Sequence, residues 1–349
     1  MPNCDLAHAV PCPSAHLNAT AGATLFAERV SAMPDAGPSR WAHPSVILVA
    51  TDLSDLDRLA PVALQEAHQS GARIILLHVL GATAGVTSDP AGMPYYDPTG
   101  PVEFAIKTIE PFRAVARAED IACDTVIREG QPAQQIIAAA RQFKSQRLLL
   151  GTRSRSKVSK LLLGSVAEQV LRSVDLPVMT VGPEAHLEVA NDVRQRVVLH
   201  ATTLRETSCP SAALACQIAE AERAKLVLLH VLPPIDEIRR SNLPTGLDST
   251  AVRELGILAD EVGASESCCA KVETRIAHGH PAIEILAASV ELEANLIVLG
   301  ATNRSTFHSI THDRTVYRVL AHARCPVLTL REIREEATPL PPEHDMIRL

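Results

Sequence analysis

Five short blocks of this chain recur in one order at a near-constant offset. Val46-Ile47-Leu48-Val49-Ala50-Thr51-Asp52 returns as Val197-Val198-Leu199-His200-Ala201-Thr202-Thr203. Leu76-Leu77-His78-Val79-Leu80 returns as Leu228-Leu229-His230-Val231-Leu232. Gly130-Gln131-Pro132-Ala133 returns as Gly279-His280-Pro281-Ala282, Leu149 to Ser156 as Val298 to Ser305, and Pro177-Val178 as Pro326-Val327. The offset stays between 149 and 152 residues. Such a chain is built as two copies of one unit, expected over residues 45–183 and 194–331. A length of 349 residues suits two domains. Outside the repeat lie an Ala- and Pro-rich segment, 1–44, read as a disordered tail, a polar linker, 184–193, and a C-terminal tail, 332–349.

Each repeat alternates strand and helix. Aliphatic runs at 46–51, 73–80, 123–128, 147–151 and 177–181 predict buried strands. Between them, Ala60, Ala63, Leu64 and Ala67 share a helical face, as do Ile136, Ile137 and Ala140. Ser54 with Asp57, and Ser165 with Glu168, predict capped helix starts. Alternation of this kind predicts a parallel sheet with helices on both faces. Ligands of such sheets sit at the carboxyl ends of the strands, near the point where strand order reverses. The proline- and tyrosine-rich stretch 90–101 is read as a connecting loop.

Composition removes several function classes. Net charge is -7, which argues against a nucleic-acid partner, because phosphate backbones need clustered Lys and Arg. No apolar run approaches the ~18 residues of a membrane span. The first thirty residues lack a basic start followed by an apolar stretch, so no secretory leader is expected. None of the eight cysteines forms a C-x-x-C pair, and they read as reduced thiols in a cytoplasmic setting. The dinucleotide-binding, Walker A, nucleophile-elbow and zinc-protease patterns are all missing. No catalytic residue is assigned.

The chemistry concentrates in residues 151–165. Gly151 leaves a strand, Arg153, Arg155, Lys157 and Lys160 follow, and Gly164-Ser165 opens a helix. Glycine lets the backbone approach a ligand closely. A helix N-terminus offers unpaired N–H groups and the positive end of its dipole, which favours phosphate. A solvated basic loop is the plainer alternative, and spacing alone leaves both open.

The order of these motifs resembles the universal stress protein family, and the likeness covers both repeats. Asp52 ends the first strand in Val-Ala-Thr-Asp-Leu-Ser, followed by Leu-Leu-His-Val, Arg-Glu-Gly-Gln-Pro and a terminal Leu-Pro-Val-Met-Thr-Val. Gly151, Ser154 and Gly164-Ser165 align with the Gly-x-x-Gly-x9-Gly-Ser/Thr signature of ATP-binding members, with the nine-residue gap kept. The resemblance implies two tandem Rossmann-like domains, each a five-stranded parallel sheet of order 3-2-1-4-5 with helices on both faces. It implies an ATP site, with Mg²⁺, in the first domain. Asp52 lies at the nucleoside end, Val79 flanks the adenine, and Gly164, Ser165 and Val166 hold the phosphates. Ala50, Thr51, Gly130, Gly151, Arg153 and Ser154 complete the candidate set. Ser154 departs from the signature glycine. If φ must be positive there, serine costs about 1 kcal/mol, although its hydroxyl can donate to phosphate.

The second repeat loses these features. Asp52 becomes Thr203, Gly164-Ser165 becomes Asp313-Arg314, and the four cations reduce to Arg304. The expected role of this domain is structural: it pairs with the first inside one chain, where family members pair as homodimers. Whether two chains also form a homodimer stays open. His278 and His280 follow its third strand, and His308 and His312 its fourth; convergence there would suit a divalent metal, against the plainer reading of scattered loop histidines. The functional expectation is an ATP-binding regulator of the stress response, acting on an unknown protein partner. Slow ATP hydrolysis stays open. The alternative is a nucleotide-free dimerisation or interaction module.

Overall fold

A computed structural model describes residues 41–81, 84–152, 163–185, 195–204, 209–236, 246–263, 271–302 and 313–332. The first repeat supplies β1 (Val46–Thr51), α1 (Leu56–Ser70), β2 (Arg73–Leu80), β3 (Val86–Ser88), β4 (Pro94–Tyr96), α2 (Thr99–Ala118), β5 (Cys123–Glu129), α3 (Pro132–Gln142), β6 (Arg147–Gly151), α4 (Ser165–Ser173) and β7 (Val178–Val181). The second supplies β8 (Val197–Thr202), α5 (Cys209–Ala221), β9 (Lys225–Leu232), α6 (Leu247–Gly263), β10 (Val272–His278), α7 (Pro281–Glu291), β11 (Leu296–Thr302), α8 (Asp313–His322) and β12 (Val327–Glu332). The first half orders its strands β5-β2-β1-β6-β7 and the second β10-β9-β8-β11-β12, so each runs 3-2-1-4-5. Within each half, the strands of this five-stranded set pair in parallel.

The aliphatic runs explain the layering. Ile47, Val49, Ile74 and Leu76 face the helix layer that contains α1, α2, α5 and α6, whereas Leu48, Ala50, Ile75 and Leu77 face the layer of α3, α4, α7 and α8. Both faces are covered, so strand residues are buried in succession rather than alternately. Trp41 is buried with Ala42 against the first of these layers. Residues 1–40 and 333–349 lie outside the described residues.

Three local readings need correction. Residues 90–101 contain β4, which pairs antiparallel with β3 as a small exposed hairpin. The helix starts differ too. The N-cap of α1 is Asp55 and that of α4 is Gly164, and neither start carries a side-chain cap hydrogen bond. Ser54 instead donates to Asp52, through its N–H at 2.9 Å and its hydroxyl at 2.7 Å. Cys216 is disulfide-bonded, contrary to the reduced-thiol expectation. Sequence spacing alone does not say which thiols a fold brings within bonding distance. Cys123 and Cys325 are free, with burial pushing the thiols up to about 11 and about 12.

The two halves join through their last strands. β7 and β12 pair antiparallel in the register Val327↔Thr180, Leu328↔Met179 and Thr329↔Val178, which merges both sheets into one of ten strands. Side chains reinforce the seam. Thr180 donates its hydroxyl to the Val327 carbonyl at 3.2 Å, Arg331 donates to the Arg172 carbonyl at 2.7 Å, and Arg331 also pairs with Asp175. Beneath one face two ion pairs sit near each other, Glu66 with Arg147, both buried, and the buried Glu222 with the half-buried Arg196. The Gln65 amide oxygen, in its satisfied orientation, accepts from both terminal nitrogens of Arg196. Burial outweighs the neighbouring arginines at Glu222 and lifts its carboxyl to about 7.

His200 replaces the first repeat's Val49 on the central strand β8. It is fully buried, its Nδ1 lies 3.1 Å from the Val298 carbonyl, and its Nε2 has no partner. Burial holds the imidazole down to about 4. The unfolded chain therefore binds a proton that the folded chain rejects, and stability falls as pH drops from about 6.5 towards 4. His200→Val is expected to remove about 2 kcal/mol of that acid sensitivity at pH 5. Urea unfolding of both proteins at pH 7 and pH 5 reads the difference; equal pH slopes would refute it.

Candidate functional site

The carboxyl edge of the first sheet opens into a cavity of about 510 Å³. β1 contributes Ala50 and Thr51, and Asp52 follows it; β2 contributes Leu77 and Val79; β6 contributes Leu150 and Gly151. Pro132 and Ile136 of α3 form one side, and Leu163 to Ala167 at the start of α4 form the other. The cavity lies between the ends of β1 and β6, where the strand order reverses.

Eight of the candidate residues meet here: Ala50, Thr51, Asp52, Val79, Gly151, Gly164, Ser165 and Val166. Gly130 is not in the wall. It turns β5 towards α3 at φ +125°, a conformation that favours glycine, and its N–H donates to the Leu80 carbonyl at 3.0 Å. Arg153 and Ser154 lie outside the described residues, as does the basic loop.

The backbone at β1 is set by a duplicated device. Thr51 Oγ1 accepts from the N–H of Leu53, which stands at φ 72°; Thr202 Oγ1 accepts from Leu204, at φ 56°. His78 bonds through Nδ1 to the Thr51 carbonyl at 3.0 Å, and His230 does the same to Thr202 at 2.9 Å, which requires Nδ1–H tautomers. The result is a sharp exit from the strand that turns Asp52 into the cavity mouth.

The opposite wall is the start of a helix. The Gly164 N–H donates to the Thr152 carbonyl at 2.8 Å, and a Cβ on Gly164 would stand 3.1 Å from that oxygen. The first α-helical bond of α4 runs from Glu168 N–H to Gly164 O. The N–H groups of Ser165, Val166 and Ala167 precede it and have no partner within the helix. With no capping side chain, they and the helix dipole stay available to a ligand.

Asp55, which pattern reading missed, also lines the cavity. Its Oδ1 accepts the Thr51 hydroxyl at 2.6 Å, and its Oδ2 packs where a Cβ on Gly151 would come within 2.2 Å. A side chain at 151 would have to displace that carboxyl. Burial, and secondarily the Asp52 charge, lift Asp55 to about 6. The available signal was a second acid three residues after Asp52 at a helix entry.

Of the four histidine candidates, His278 and His280 lie among the described residues. His278 Nε2 lies 2.9 Å from Asp248 Oδ1, and His308 and His312 lie outside the described residues. Among the described residues, no group of three or more His, Cys, Asp or Glu could hold a metal ion. No described helix is long and apolar enough to cross a membrane.

The family model of universal stress proteins matches residues 45–182 and again 196–331. The chain belongs to the universal stress protein family. Its two universal stress domains stand in tandem, as the sequence repeat predicts. A universal stress protein of Mycolicibacterium smegmatis is 27% identical over 303 residues, 82% of this chain and 96% of its own. A universal stress protein of Archaeoglobus fulgidus aligns with 82% of this chain and 98% of its own at 23% identity and a TM-score of 0.61, a likeness of fold. A shorter universal stress protein, solved in complex with cAMP, aligns with 40% of this chain at 19% identity and a TM-score of 0.32.

Proposed function

We propose that the first universal stress domain binds ATP, with Mg²⁺, as a regulatory ligand in a cytoplasmic stress response. The second domain serves as its structural partner. The observation that carries this reading is the pairing, across one cavity, of Asp52 at a strand end with the uncapped N-terminus of α4. Glycine at 151 and 164 brings backbone close on that side, and unpaired N–H groups suit phosphate oxygens. Asp52 would repel phosphate and suits hydrogen bonds from a sugar or base. The ligand would stabilise the folded, ligand-competent state by mass action, which is how binding becomes a signal. The β7–β12 seam supports pairing of the two domains inside the chain, in place of a homodimer through that edge.

Calorimetric titration of the intact protein with MgATP tests this. About one site per chain is expected, with loss of binding in Gly164→Asp, which places the carboxylate of Asp313 at the equivalent position in the first domain. A Gly164→Asp protein that binds as tightly as the parent would refute the placement of phosphate. A second reading, a nucleotide-free interaction module, draws on exposed apolar side chains of the hairpin and α2, among them Met93, Tyr95 and Phe104. Absence of any nucleotide heat from the intact protein would favour it.

A further inference from the structure

Asp55 is a carboxyl to which ATP binding as described assigns no task. It stands at the entry to α1 in the cavity wall, only 5% exposed. An aspartate at that place ordinarily caps its helix, yet Asp55 makes no such bond. The side chain turns instead between β1 and β6. Thr51 donates to one oxygen, and the other lies against Gly151.

The charges that act on it are few. Asp52 on the same loop is a like charge, and Arg58 on α1 an opposite one. The cavity wall contributes no other titratable group from β2, β6, α3 or the start of α4 among the described residues. Desolvation and Asp52 together outweigh Arg58 and the Thr51 hydroxyl, which leaves the carboxyl at about 6. A polyphosphate entering the same cavity adds negative charge nearby and favours the neutral acid further.

We infer that Asp55 couples nucleotide occupancy of this cavity to the uptake of a solvent proton, so that the phosphates enter with Asp55 as the neutral acid. The inference rests on the ATP reading and adds to it a dependence on pH. Affinity for ATP then falls, by up to about tenfold per pH unit, as pH rises above about 6. Asp55→Asn mimics the neutral acid, retains an acceptor for Thr51, and binds ATP with no such dependence.

The test titrates full-length protein with MgATP near pH 7 in two buffers of different ionisation enthalpy. The parent is expected to take up a large fraction of one proton per ATP. Asp55→Asn, folded by its urea unfolding curve, is expected to show no uptake beyond that of ATP itself. Equal proton counts in the two proteins, or none in the parent, would overturn the inference and leave ATP binding intact. Binding heat from neither protein would overturn ATP binding and the inference with it. Should Asp55→Asn fail to fold, Asp55→Ala is titrated in its place, with the same two outcomes read from its proton count.

Discussion

Glu66→Ala is expected to destabilise the folded protein by about 3–5 kcal/mol. Glu66 sits on the buried face of α1 beside Val62, Ala63 and Ala67, and its carboxylate meets Arg147 at the start of β6. The two side chains are 10% and 4% exposed. Arg147 also donates to the Trp41 carbonyl at 2.6 Å, and its Nε has no partner. Deleting the carboxylate leaves a guanidinium buried with one acceptor, whereas Arg147→Met leaves the carboxylate alone near Glu222. The double variant Glu66→Leu/Arg147→Met removes both charges and is expected to recover most of the loss. Denaturant unfolding of the parent, Glu66→Leu, Arg147→Met and the double variant gives the coupling energy. Single-variant losses below about 1 kcal/mol would show that the pair behaves like an exposed one.

The second expectation has the opposite sign. Asp55→Asn is expected to stabilise the ligand-free protein by up to about 3 kcal/mol at pH 7.5. The carboxyl rises from 3.8 to about 6 on folding, so the folded state holds its proton more tightly than the unfolded chain does. The stability this contributes is complete below about 3.8 and is lost as pH rises through about 6. The advantage of the asparagine variant should therefore open between pH 4 and pH 6 and stay level above. Urea midpoints at pH 4 and pH 7.5 measure it. An asparagine variant less stable than the parent at pH 7.5 would mean that the Thr51 bond outweighs desolvation. A carboxylate kept at such a cost beside a cavity is what functional sites commonly show.

The strands and their duplication were legible because a strand buried on both faces shows as an aliphatic run, and five runs recurring in order leave little freedom. Strand order came from family likeness, since runs alone do not say which neighbours pair. The β3–β4 hairpin escaped because its strands are three residues long and exposed, and β4 opens on a proline, so no alternation marks them. The cap assignments failed because Ser54 serves Asp52 and because Gly164, with no side chain to offer, starts α4. At the site, Asp52 and the glycines were visible as motif positions. Asp55 was not, since an acid in the first turn of a helix reads as ordinary dipole chemistry. Glu66 carried a faint mark, a charge on an otherwise apolar helical face, but its partner lies 81 positions away.

The antiparallel join of β7 and β12 has a further result. Two separate subunits that met this way would come apart on dilution. A covalent tether holds the halves at high effective concentration, so their union does not vary with the amount of protein present. The tether also frees each half from having to match the other. In a symmetric pair of identical subunits every substitution appears twice, and Asp313 in place of glycine would spoil both cavities. Here the two halves can differ: the second carries His200 in its core and Asp313 at its helix start, and the first carries Val49, its glycines and Asp52.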